Sequence, residues 1–597
     1  MIDRVRTEPR ALFAAVLSLT LIVVGCSSDK PDQPAKIAQQ FVTALNNDDG
    51  NAAAALTSDP AKAADAIGKM YDGLGKDVKF DVKSTEESGA VELAAQWTLG
   101  QGEAAKRWSY TTRGKASDSG QGWRIDWDPA ILVAGLTEGH TVRFLPTHST
   151  PARVLDRAGQ ELMTEQVVTL VNVAPSADAA AVAPLLAQID PAVTPASLSA
   201  DIAAGQGNPV TALILREQDL AKVEAPLSAL PGVTLAKQTR LLTTDRTLTS
   251  PTFSGVTELW QEAQDAAAGW SVEVVADDGT ATKLVGEDAK PTPDLTTTLD
   301  LGLQQAAEAA VAPLQQQAAI VAIRPSTGGI LAVAQSASAD AQGPIALTGL
   351  YPPGSTFKTV TVSAALQAGG LTPDTVLPCP GSANIEGRTI PNDENFDLGQ
   401  VPLHTAFARS CNTTMGRLAV GLPPNGLQKA AEQFGLGVDY VTPGLVTVTG
   451  TVPVADTPAA RVESGIGQGS VTASPFGMAL VAATIAHGSL QAPMFVDGRR
   501  GTGNRTPSPL PANITDQLST MMRETVTAGT ATILNDIPDL RGKTGTAEHE
   551  NGAAHGWFVG IEGDLAFAVF VADAGSSTPA LEAAGRFLRN VQPLIPR

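Results

Sequence analysis

The spacing of apolar residues changes several times along the chain, and each change marks a candidate element. Residues 37–45 repeat apolar positions at helical spacing and predict an amphipathic helix. Residues 79–82, 91–97 and 108–110 alternate apolar and polar positions, carry aromatics and predict strands. With the Trp-rich stretch 123–129 they close a first unit over 36–142. A second unit runs over 147–300. It opens with a strand at 153–157, a turn at Ala158-Gly159 and a return strand. The Ala/Pro-rich stretch 174–204 keeps apolar spacing at Val182, Leu185, Leu186 and Ile189, which predicts short helices and not a linker. Residues 295–300 read as a strand passing into a helix that carries Leu303, Gln304, Ala307 and Glu308.

The third unit is 301–597. Residues 319–323 and 330–333 flank a turn at 326–329 and predict an apolar hairpin. Two further strands, 556–560 and 566–571, follow one around Lys543, and 581–594 predict a closing helix. The expected fold is α+β multidomain, its last unit a central antiparallel sheet with helices on its faces.

The chain's 597 residues suit three such units at ~150 residues each. A formal net charge of -20 argues against nucleic acid as a partner, since nothing would neutralise phosphates. Only 3 Cys occur and none form a C-x-x-C pair, so neither a zinc site nor any other metal or cofactor is expected.

Arg4, Arg6 and Arg10 precede an apolar run over 11–24. This is short of the ~20 residues a membrane span needs and suits a secretory signal. The run ends Val23-Val24-Gly25-Cys26 and resembles a bacterial lipobox. The resemblance implies a signal peptide over 1–25, acylation of Cys26, a polar tether over 26–35, and a chain lipid-anchored on the outer side of the cell membrane. Cys379 and Cys411 would then lie in a disulfide-permissive compartment, as a disulfide or as two buried thiols.

Three short strings carry candidate chemistry: Ser355-Thr356-Phe357-Lys358, Ser410-Cys411-Asn412 and Lys543-Thr544-Gly545-Thr546. Each alone is weak, because Ser27-Ser28-Asp29-Lys30 and Ser382-Ala383-Asn384 repeat the first two patterns elsewhere. In order, they supply a kit for acyl transfer through a covalent serine intermediate. Ser355 follows Pro352-Pro353-Gly354, is expected to open a helix, and shares a face with Lys358 at i+3. A serine hydroxyl needs a base, and Lys358 serves if burial and a neighbouring cation lower its pKa. Ser410, set in an apolar helical stretch, can relay a proton, and the Asn412 amide can bind a peptide group. Lys543 offers charge to a carboxylate that Thr544 and Thr546 can also bond, and Gly545 lets a substrate backbone approach. The N–H groups of Ser355 and Thr546 would form an oxyanion hole.

The three strings together resemble the serine acyl transferases that bind penicillin. Gly465-Ile466-Gly467-Gln468-Gly469 with Ser474-Pro475, and Trp557 after Lys543, sharpen this to the class B penicillin-binding proteins. The lipobox and layout look most like the mycobacterial penicillin-binding lipoproteins. The first unit resembles the nuclear-transport-factor-like N-terminal domain of the methicillin-resistance transpeptidases, and 147–300 the family's dimerisation or pedestal domain. The resemblance implies D,D-transpeptidation of peptidoglycan stem peptides through Ser355, which β-lactams would also acylate. No glycosyltransferase strings occur, so a separate polymerase, with divisome or elongasome proteins, is an implied partner. Ser474 departs from the family's usual Thr.

Three rival readings fare worse. A class A β-lactamase carries a Glu with an Asn four residues on, between the second and third strings. Here Glu432, Glu463 and Glu524 are followed at that distance by Leu436, Gly467 and Ala528. A D,D-carboxypeptidase that resolves its acyl-enzyme with water belongs to the same nearest enzyme rival. A β-lactam sensor would be expected to carry several membrane-spanning helices and a cytoplasmic output, and neither is read in this sequence. A degenerate wall scaffold would be expected to have lost one of the catalytic residues, and none is missing.

Overall fold

A computed structural model describes residues 33–591 apart from 121, 550 and 551. The expected signal peptide and the lipidation site Cys26 lie outside the described residues. Among these residues, no helix is long and apolar enough to cross a membrane.

The chain forms two compact units, and the first is not contiguous: it contains the residues up to Thr147 together with Ala268–Ala289. Helix Gln33–Asn46 buries Ile37, Ala38, Phe41, Val42 and Leu45 on one stripe, as its spacing predicts. Another helix, Pro60–Leu74, starts where Asp59 accepts a hydrogen bond from the Lys62 N–H and Pro60 fills a position that needs no donor. Strands Val78–Thr85, Ala90–Leu99, Lys106–Asp118 and Trp123–Ile125 form an antiparallel sheet. Val91, Leu93, Ala95, Trp97 and Leu99 alternate into the shared core, facing the helices. The boundary expected at residues 142–147 therefore needs amending. Strand Thr141–Thr147 pairs with Gly269–Val275, which pairs with Ala281–Glu287, and Trp270, Val272 and Val274 complete the first unit's core. Their partner strand lies over a hundred positions away, beyond the reach of local pattern reading.

The second unit holds His148–Ala267 and Lys290–Arg597. In its first part, strand Glu161–Val173 pairs with both Val210–Arg216 and Val233–Thr243. The predicted turn forms with Gly159 in the left-handed region (φ 83°), and Asp156 Oδ1 accepts from the N–H groups of Ala158 (2.7 Å) and Gln160 (2.8 Å). The Ala/Pro-rich stretch forms helices Ala179–Leu186 and Pro195–Ala204.

The rest is built on a seven-stranded sheet. Its centre runs Gly329–Gln335, Ala318–Arg324, Leu565–Val571, His555–Glu562 and Arg541–Ala547, all antiparallel. Short strand Met494–Val496 joins the other edge through one parallel pair, Gly329 with Met494, a departure from the wholly antiparallel expectation. The pleat divides the apolar strands between two cores. Ala319, Val321, Ile323, Val559, Ala568 and Phe570 face one, where helix Pro475–His487 is buried. Ile320, Ala322, Phe558, Phe567, Val569 and Val571 face the other, with helices Leu301–Val311 and Thr578–Val591. Burial on both faces explains the unbroken apolar runs in these strands. Ser474, the departure from the family pattern, caps helix Pro475–His487 by accepting from the Gly477 N–H at 2.9 Å.

Candidate active site

The three strings converge on one centre. Ser355 lies in a 3₁₀ turn, Gly354–Phe357, and the α-helix begins only at Lys358. This corrects the expectation that Ser355 opens the helix. The i, i+3 relation survives, because side chains three apart eclipse in a 3₁₀ turn. Lys358 is fully buried, whereas Ser355 is half-buried and, among the described residues, its Oγ has no hydrogen-bond partner.

The second string is not inside a helix either. Helix Leu403–Ala408 stops, the chain kinks through Arg409, Ser410 and Cys411, and helix Asn412–Val420 begins. Ser410 sits in the left-handed region at φ 61°, an uncommon and strained state for a residue with a Cβ. The kink presents three oxygens to Lys358 Nζ: Ser410 O at 2.7 Å, Asn412 Oδ1 at 2.6 Å and Ser410 Oγ at 3.1 Å. Two are carbonyls, which accept only. An amine with two hydrogens can donate to both and keep a lone pair free.

From the other side Lys543 Nζ reaches Ser410 Oγ at 3.0 Å and the Thr544 carbonyl at 3.0 Å. Ser410 Oγ thus lies between two buried amines. Desolvation holds Lys358 well below the usual lysine range, and the Lys543 charge lowers it further, with Asp393 opposing. Burial pushes Lys543 down to about 7. Lys543 also stands 5.7 Å from the centre of the Phe407 ring.

Strand alternation gives Lys543 and Gly545 one face and Thr544 and Thr546 the other. Gly545 also does a job that its sequence does not show. A Cβ there would lie 2.9 Å from Pro353 O, 2.9 Å from Thr356 Cγ2 and 3.0 Å from Trp557 Cβ, so its bareness lets the strand seat on the serine-bearing turn. Thr544 is buried, and its hydroxyl meets that of Thr530 at 2.6 Å. Thr546 is half-buried beside Gly354: a Cβ on Gly354 would sit 2.4 Å from Thr546 O.

The structure gives positioning roles to residues of the glycine-rich string and to Trp557, which the sequence singled out, and to Asn392, which it did not. Gly467 O accepts from the Gly354 N–H at 2.9 Å, and a Cβ on Gly467 would strike Gly354 O at 2.0 Å. The Gln468 amide, in the orientation that satisfies its neighbours, donates to Glu548 O (3.2 Å) and accepts from Glu548 N–H (3.0 Å), tying the glycine-rich string to the end of the Lys543 strand. Buried Asn392 accepts from the Asn412 N–H (2.8 Å) and the Thr413 N–H (3.2 Å), capping the helix that starts at Asn412. Trp557 Nε1 donates to Pro352 O at 2.9 Å. Cys379 and Cys411 are joined as a disulfide, which anchors the kink. The glutamates that bear on the β-lactamase alternative are engaged elsewhere: Glu432 with Arg505, Glu463 with Arg388, Glu524 with His404.

Comparison with known proteins agrees with this geometry. Residues 318–591 match the penicillin binding protein transpeptidase domain, and residues 33–140 match the NTF2-like N-terminal transpeptidase domain. The peptidoglycan D,D-transpeptidase PbpA of Mycolicibacterium smegmatis is 32% identical over 44% of this chain and 63% of its own length. The match thus spans less than two thirds of that relative. Penicillin-binding protein 3 of Bacillus subtilis is 21% identical over 90% of this chain and 92% of its own. The complex of penicillin-binding protein PBP2 with MreC from Helicobacter pylori shares the fold, with a TM-score of 0.57 at 17% identity over 76% of this chain and 99% of that one. The chain thus carries a penicillin binding protein transpeptidase domain over 318–591, C-terminal to an NTF2-like N-terminal transpeptidase domain over 33–140, and the three strings meet within the former.

Proposed function

We propose that this protein is a peptidoglycan D,D-transpeptidase acting through an acyl-enzyme on Ser355. The observation that carries the reading is the buried Lys358 amine, which has two carbonyl acceptors for its hydrogens and a pKa held well below the usual range. Neutral Lys358 takes the Ser355 proton as Oγ attacks the penultimate D-alanine carbonyl of a stem peptide. The Ser355 and Thr546 N–H groups receive the developing oxyanion. As the carbon–nitrogen bond breaks, Ser410 passes a proton from the lysine pair to the departing D-alanine amine. An amine from a neighbouring strand then attacks the ester, gives up a proton by the same route, and releases Ser355. A β-lactam acylates Ser355 in the same way but leaves no departing group to clear the site. Asn412, whose Oδ1 accepts from Lys358 and whose Nδ2 donates one hydrogen to Pro391 O at 2.9 Å, keeps its second Nδ2 hydrogen for the donor peptide. The name of the Mycolicibacterium relative supports this substrate class. The lipobox supports anchoring through Cys26 outside the cell membrane, and a separate polymerase would supply the glycan strands.

Intact-mass measurement after a labelled penicillin tests the reading. The expected result is one adduct per chain that persists and is absent from Ser355→Ala. An adduct that clears within seconds would move the assignment to a carboxypeptidase or β-lactamase. Labelling that survives in Ser355→Ala would overturn the nucleophile.

A further inference from the structure

We propose that His549, His555 and Asp573 form a binding site for a divalent first-row transition metal ion of the zinc class. The chain has only 6 His, yet two of them fall within seven positions here, with rings stacked 4.2 Å apart. His549 follows the Lys543 strand, His555 opens the next strand opposite Ala547, and Asp573 follows the strand after that. Their ligand atoms lie within 4.8 Å of one another.

Four further features suit a built site. Asp573 holds a left-handed backbone (φ 50°), and its N–H donates to His555 Nδ1 at 3.2 Å, which fixes both residues. Gly552 leaves the space free: a Cβ there would sit 2.4 Å from Asp573 Oδ1 and 3.0 Å from His549 Nε2. His549 Nε2 already lies 2.7 Å from Asp573 Oδ1 and 2.9 Å from the Ala553 carbonyl, so a fourth oxygen is at hand. His555 is buried against Tyr351 and Phe570, a rigid apolar wall behind one ligand.

The donors are two imidazoles, a carboxylate and a carbonyl. Imidazole favours zinc, cobalt, nickel or copper over magnesium or calcium. Bonds of ~2.1 Å let ligand atoms stand at most ~4.2 Å apart, so a small swing of the half-buried His549 ring closes the set. The sequence argument against zinc concerned cysteine pairs and does not touch this cluster. A bound ion would tie the end of the Lys543 strand to the adjoining ends of the two strands beside it.

The test is titration of metal-free, untagged full-length protein with Co²⁺, followed by visible absorption and by displacement with Zn²⁺. The expected result is one Co²⁺ per chain, displaced by Zn²⁺ and unaffected by excess Mg²⁺. His549→Gln and Asp573→Asn should each weaken binding by more than ~10-fold, with metal-free melting temperatures close to the parent's. Gly552→Ala should weaken it as well. Absence of stoichiometric binding would overturn the proposal, as would binding that both ligand variants leave unchanged.

Discussion

The carbonyl of Ser410 accepts a hydrogen bond from Lys358 Nζ at 2.7 Å while the Ser410 backbone sits at φ 61°. The strained backbone aims the acceptor, and the side chain of the same residue lies between the two lysines. These two contributions can be separated. Ser410→Gly removes the hydroxyl but tolerates the left-handed backbone, whereas Ser410→Ala removes the hydroxyl and keeps the strain. Both should slow penicillin acylation, and the Gly variant should be the more stable by ~1 kcal/mol. Equal thermal melts would show that the left-handed backbone carries no strain here.

Acylation should fall as pH drops and Lys358 gains a proton, in a range below that of an ordinary lysine. Burial and the Lys543 charge place it there. Lys358→Arg should not rescue the rate, because a guanidinium stays protonated. A pH-independent acylation rate would remove Lys358 as the base.

Lys543 makes a prediction about stability. Its folded pKa of about 7 lies below its unfolded value of 10.5. Between those values the unfolded chain binds a proton that the folded chain lacks, so stability rises with pH across that window. The contribution is at most ~1.4 kcal/mol per pH unit. It vanishes below the folded pKa, where both states are charged. Lys358 adds a slope of the same sign, so denaturant melts across that window should show a slope that is shallower in Lys543→Met than in the parent; an unchanged slope would contradict the assignment.

Gly545→Ala should be costly although the strand would otherwise accept alanine. Its Cβ would enter the contacts with Pro353 O, Thr356 Cγ2 and Trp557 Cβ. A loss of roughly 1–3 kcal/mol is expected from such overpacking, with slower acylation as the strand lifts from the serine turn. Parental acylation and melting would show that the strand is not seated there.

Removing the Cys379–Cys411 bond, which spans 32 positions, should cost roughly 3–4 kcal/mol in the chain-entropy model. Cys411 stands between Ser410 and Asn412, so acylation should slow along with it. Melting and labelling of the double Ser variant would measure both effects.

Much of this was legible in the sequence because it depends on local spacing. The amphipathic stripe at Ile37–Leu45 and the apolar hairpin strands around Gly328 appear where their periods place them. The order of the three strings was informative because chemistry fixes residue types. What stayed hidden depends on contacts between distant positions. Gly545 reads as a generic bare strand position until Pro353 O is seen behind it. Asn392 is one polar residue in a polar loop, and only the fold reveals that it caps the Asn412 helix. Ser410 gave no hint of its positive φ, since serine rarely adopts it.

The discontinuous first unit has a consequence for how the chain comes to its final form. Trp270, Val272 and Val274 belong to a core whose other members precede residue 148. While the chain emerges from its N-terminus, that core waits for Ala268–Ala289, after the whole segment 148–267 has already been delivered. The earlier-made part must stay unfinished, with apolar surface open, through that interval. A truncation ending before residue 268 would leave it so permanently, and a fragment beginning at 148 would carry an unpaired hairpin with an exposed tryptophan. The unit can close only once residues 268–289 are made, although most of it is made first.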